Sequence, residues 1–236
     1  RALAQLIDAS VRQKVDASAT GPDGLFYKGQ LLRLIAWLRS LGKLNHPGDF
    51  QAVASGTRAI FEGAVDLTLL HFAPTTYPTA KLDAWEESAK LKHCESVSRF
   101  LAEHDREPSE SERTMLRYIA DGKTRIQQLR ETWWPARDRA AKHPSRWTGR
   151  TLSEDATAAD EQLPREFVEF YTLRYPQICW NVHGSGVSGI ANVSEAAFPG
   201  IGGLAYADAG HYEFVTIEVI AKHLECLSAE SLAEIK

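Results

Sequence analysis

The apolar positions of this chain recur at three- and four-residue intervals over most of its length, the spacing of one face of an α-helix. Leu3, Leu6, Ile7, Val11 and Val15 predict a helix over about 2–17, and Thr20-Gly21-Pro22-Asp23-Gly24 breaks it. Leu31, Leu34, Ile35, Leu38 and Leu41 lie on one face of a second helix, Leu25–Leu44. The turn Asn45-His46-Pro47-Gly48-Asp49 leads into a third, strongly apolar helix from Phe50 to about Phe72. Pro74 and Pro78 punctuate the next connection, and Thr79 to about His104 forms a fourth helix. Ser109 and Glu112 supply a capping box that opens a fifth, reaching about Trp134. Pro135 ends or kinks it, and a short helix continues to Lys142.

The pattern weakens downstream. Residues 143–163 are polar, with Ser153-Glu154-Asp155-Ala156 as one short helix start. Pro164 occupies the first-turn position of a helix over Arg165–His183, which Pro176 kinks. Residues 184–210 hold seven of the sixteen glycines and predict a long loop. The last helix spans Tyr212–Ile235. The expected architecture is all-α: an irregular multi-helix bundle of about seven helices in a single domain, 1–236, with a long Gly-rich loop before the last helix. A short hairpin within 186–207 would be the exception.

Composition narrows the function classes. Apolar residues make up 44 % and charged residues 25 %, as in ordinary globular proteins. A net charge of −4 lacks the basic excess of a general phosphate-backbone binder. Cys94, Cys179 and Cys226 are scattered and form no CxxC pair, so neither a zinc knuckle nor a disulfide framework is suggested. Three such thiols fit a reducing cytoplasm, which sets the expected localisation. No apolar run of about 18 residues occurs, so no membrane partner is expected.

The stretch Tyr175-Pro176-Gln177-Ile178-Cys179-Trp180-Asn181-Val182-His183-Gly184-Ser185-Gly186-Val187-Ser188-Gly189 spells a formal G-x-G-x-x-G. A dinucleotide loop must follow a buried strand and open a helix, whereas this one follows a helical pattern. A nucleophile elbow fails too, because His183 and Ile190 stand where glycines belong around Ser185 and Ser188. Gly122-Lys123-Thr124 ends like a phosphate loop, but Arg117 replaces its first glycine. HExxH is absent, and no histidine has Glu three residues before it. No metal and no cofactor are therefore expected. The simplest account of His183-Gly184 is a histidine in a last helical turn followed by a terminating glycine.

Arg58 and Glu62 are four apart and share a helix face. At about 100° per residue, Val65, Leu69 and Phe72 lie within roughly 40° of Arg58, so the pair borders the apolar stripe. It is either an intrahelical ion pair or part of a polar cluster joined from another helix, for which His183 is the candidate.

"RAIFEGAVDLTLLHF", "RWTGRTLSE" and "YTLRYPQICWNVHGS" together resemble a family of uncharacterised bacterial all-helical proteins, a domain of unknown function. The matching positions are Arg58, Glu62, Trp147, Gly149, Tyr171, Tyr175 and His183, over about residues 50–185. The resemblance implies an all-α fold and no established activity. Such proteins are distantly similar to the HEPN class of metal-independent helical ribonucleases of toxin and phage-defence systems, which use an R-x4–6-H motif. Arg39 with His46, Arg99 with His104, and Arg137 with His143 match it, the last best. A histidine could move the proton of an attacking 2′-hydroxyl while an arginine holds the phosphate. The competing account of Arg137, Arg139, Lys142 and His143 is a solvated basic helix end.

Two functional expectations result. One is a protein that binds a protein or small-molecule partner around Arg58, Glu62 and His183, without catalysis. The other is an HEPN-like ribonuclease acting on RNA through Arg137 and His143, or Arg58 and His183, in a cleft that a homodimer could share.

Overall fold

The computed structural model describes residues 11–44, 46, 49–135, 144–182, 198–228 and 231–232. The regular elements among them are helices, with no strand: α1 (Arg12–Ser18), α2 (Gly21–Leu41), α3 (Phe50–Phe72), α4 (Thr79–Glu103), α5 (Glu110–Trp133), α6 (Leu152–Gln162), α7 (Phe167–Leu173), α8 (Tyr175–Val182) and α9 (Phe198–Leu224). The fold class is all-α, as the periodicity predicts. Contacts group the chain into two compact units, Arg1–Ala73 with Asp155–Lys236, and Pro74–Glu154.

The first unit is built on α3 and α9. Phe61 sits at its centre, fully buried, with Phe170, Tyr212, Tyr175 and Phe167 around it at ring separations of 4.5, 4.9, 5.6 and 6.2 Å. Thr57 ties the two helices together, its hydroxyl donating to the Ala205 carbonyl at 3.0 Å. Close approach of α2 depends on Gly56, where a Cβ would stand 2.8 Å from Leu41 Cδ2.

Three predicted boundaries change in this unit. The break at 20–24 shrinks to Ala19 and Thr20, and Gly21, with φ 68°, starts α2 with Pro22 in its first turn. The helix expected over Arg165–His183 is two helices parted at Arg174. Pro176 has no N–H to bond four residues back, and its ring disfavours helical geometry in the residue before it. Pro164 precedes the helix altogether. Asp160 caps α7 instead, its carboxylate accepting from the backbone N–H of Arg165, Phe167 and Val168 at 3.1, 3.0 and 2.8 Å, while Glu166 turns left-handed at φ 61°.

The third change is the largest. The Gly-rich loop predicted over 184–210 is helical from Phe198, so its second half belongs to α9; residues 184–197 lie outside the described ones. Pro199 suits a first turn. A Cβ at Gly200, Gly202, Gly203 or Gly210 would meet nothing within 4 Å, so packing does not demand these glycines. Each weakens a helix by roughly 1 kcal/mol relative to Ala. Burial of Ala205, Ala209 and Tyr212 along one face offsets that cost.

The second unit is a helical hairpin. α5 opens on the predicted capping box: the Ser109 N–H donates to Glu112 Oε2 at 2.7 Å, and the Glu112 N–H donates to Ser109 Oγ at 3.4 Å. Glu87 on α4 accepts from Tyr118 at 2.7 Å and Arg125 at 2.9 Å on α5, and from Lys90 at 2.9 Å. Buried Trp147 closes the open end of the hairpin, where Trp85 donates to the Pro144 carbonyl at 3.0 Å and Trp134 to that of Trp147 at 3.2 Å. Gly149 has φ 75°, and a Cβ there would lie 2.8 Å from the Trp134 ring. The short helix predicted up to Lys142 lies outside the described residues.

Candidate functional site

Arg58 and Glu62, one turn apart on α3, meet as their spacing predicts. Arg58 Nε donates to Glu62 Oε1 at 2.7 Å. Among the described residues, Tyr175, the first residue of α8, joins them from another helix, its hydroxyl donating to the same oxygen at 2.6 Å. The Arg58 guanidinium lies over the Tyr175 ring, 5.6 Å from its centre. Tyr171 stacks on the outer side of Tyr175 at 5.2 Å and 24°. Phe61 supports Tyr175 from within. The α7–α8 break sets this geometry, because it starts a new helix at Tyr175.

The electrostatics follow from depth. Burial raises the Tyr175 phenol well above its ordinary value, and the hydrogen bond to Glu62 raises it further. Burial disfavours charge on Arg58, yet the Glu62 hydrogen bond and charge outweigh it and hold the guanidinium above its ordinary range. Tyr175 therefore stays protonated and Arg58 charged at any physiological pH. Neither group is poised to exchange a proton in that range.

His183, the predicted third member, lies outside the described residues, as do Arg137 and His143. His104 is described: its ring stacks on Phe100 at 4.2 Å, and its Nδ1 stands 2.9 Å from the Phe100 carbonyl oxygen, closing the end of α4. Tyr206 donates to the carbonyls of Leu41 and Leu44, and Tyr212 to that of Glu166, so both tie helices together.

Two further ionic groups lie in the first unit. Glu218 is buried and accepts from Arg165 at 2.9 Å and Lys222 at 2.8 Å; Asp208 pairs with Arg174 at 2.9 Å. Only the Glu218–Lys222 spacing is local. Among the described residues no helix is long and apolar enough to cross a membrane. No protein-family profile matches the chain, and neither a curated protein nor a solved structure does.

Proposed function

We propose that this protein is a helical binding module that engages another protein at the edge of its first unit, where α3 meets α8. The observation that carries this reading is a pair of exposed apolar side chains, Leu173 and Trp180, beside a rigid polar cluster. Leu173, the last residue of α7, and Trp180 on α8 are 56 % and 58 % exposed. On the neighbouring face of α8, Tyr175 is locked by Glu62 and Arg58. Tryptophan, tyrosine and arginine on a pre-organised support are the residues that dominate binding energy in protein interfaces. A large apolar side chain held in water by a folded scaffold gains most when a partner covers it.

The groove of the first unit between α2 and α3 is too small for a small-molecule partner. The groove between α2 and α3, lined by Gln30, Leu34, Trp37, Ile60 and Gly63, has a volume of about 20 Å³. Ligand pockets are roughly 300–1,000 Å³.

The test is purification of the tagged full chain from its native cells, beside a Leu173→Asp, Trp180→Asp double variant with an unchanged melting curve. The wild type is expected to bring down a stoichiometric protein that the variant loses. Equal recovery with both would overturn the proposal. RNA cleavage in excess EDTA, lost in His143→Ala or His183→Ala, would replace it with the HEPN-like ribonuclease reading.

A further inference from the structure

His71 and His223 face one another in the last turns of α3 and α9. Their Nδ1 atoms are 3.4 Å apart, whereas their ring centres are 5.5 Å apart. The nitrogen-bearing edges of both rings therefore turn toward a common point. A separation of 3.4 Å is long for a hydrogen bond, whose range is about 2.7–3.2 Å. It matches another geometry: two imidazole nitrogens about 2.0–2.1 Å from a tetrahedral Zn²⁺ stand about 3.3–3.4 Å apart.

We propose that His71 and His223 form a binding site for a divalent transition-metal ion of the Zn²⁺ class. Both rings are held in place for it. His223 stacks on fully buried Tyr27 at 3.7 Å and 16°, and Phe72 lies edge-on to His71 at 4.5 Å. Both residues sit at helix C-termini, where the backbone dipoles favour a cation. Burial lowers both imidazoles below their ordinary value, which keeps the metal-binding neutral form present at neutral pH. The charges acting on the pair oppose one another: Lys222 on α9, itself tied to Glu218 at 2.8 Å, disfavours a cation at His71, and Asp23 on α2 favours one at His223. Among the described residues no third His, Cys, Asp or Glu joins the pair.

The test is calorimetric titration of the EDTA-stripped, dialysed full chain with Zn²⁺, beside His71→Gln, His223→Gln and, as a control, His93→Gln. One Zn²⁺ per chain is expected. Each of the first two substitutions should weaken binding by more than the roughly 10–100-fold that loss of an outer-shell partner costs, and the control should bind as wild type. X-ray absorption of the zinc-loaded wild type should count two imidazoles, a readout that does not depend on the variants folding. Absence of zinc binding by the wild type, an absorption spectrum without an imidazole pair, or unchanged binding in both variants would each overturn the site.

Discussion

In the first unit α9 buries every residue from Val215 to Ala221, whereas α5 in the second unit buries only Gly122 and Ile126. A helix buried all round needs apolar neighbours on every side. A helix with one narrow buried seam needs something else to hold it, and α5 uses side chains that reach across to α4. Arg130 donates to buried Ser88 at 2.5 Å, and Tyr118 and Arg125 converge on Glu87. The same helical period thus serves two modes of cohesion, one set by excluded water and the other by charge and hydrogen bonding. The first should be indifferent to salt and the second sensitive to it.

The strongest blow to the apolar mode is Phe61→Ala. Four aromatic rings lose their common partner, and urea unfolding should show a loss of about 3–5 kcal/mol. A smaller or salt-dependent loss would mean that the aromatic cluster does not carry the first unit.

Glu213 is the most deeply buried of the acidic residues on α9. It is 2 % exposed, its Oε1 has no hydrogen-bond partner among the described residues, and burial raises its carboxyl to about 8. The unfolded chain releases this proton near the ordinary value of 4.5, the folded chain only at about 8. Between those limits the folded state binds more protons, so this group makes stability fall as pH rises. Glu213→Gln should therefore gain a few kcal/mol over wild type at pH 9 and almost nothing at pH 4, read from urea midpoints at each pH.

The polar mode is tested by Glu87→Gln. Its partners Tyr118, Lys90 and Arg125 hold the Glu87 carboxyl down at about 2, so its contribution is present above about 4.5 and lost as pH falls through about 2. Because the side chain is 25 % exposed, the cost should be only about 1 kcal/mol at neutral pH, and it should shrink in high salt. Equal cost at low and high salt would erase the contrast between the units. The smallest effect is expected from Ser109→Ala, about 0.5–1 kcal/mol through the lost cap, measured as hydrogen exchange in the first turn of α5.

Much of this could be read along the chain. α3, α4 and α5 begin and end within about two residues of their predicted limits, because a run of apolar periodicity or a capping pair marks each end. The glycines of 200–210 hid the first half of α9. A signal was there: Ala205, Ala209, Tyr212, Val215 and Val219 keep helical phase across them, and Pro199 precedes them. Arg58 and Glu62 were legible because a helix brings residues four apart together. Tyr175 was not, since a partner 113 residues away depends on how α8 is placed. His71 and His223, separated by 152 residues, were illegible for the same reason.

The discontinuity of the first unit bears on the order in which the molecule can form. α3 leaves the ribosome with its apolar face complete, but α7, α8 and α9, which cover that face, are translated only after the whole of Pro74–Glu154. The hairpin can assemble as soon as it emerges, whereas α3 must wait, exposed to every other sticky surface in the cell. Slowing translation through the hairpin should therefore lower the yield of soluble protein, and moving α9 ahead of α3 by circular permutation should relieve that dependence.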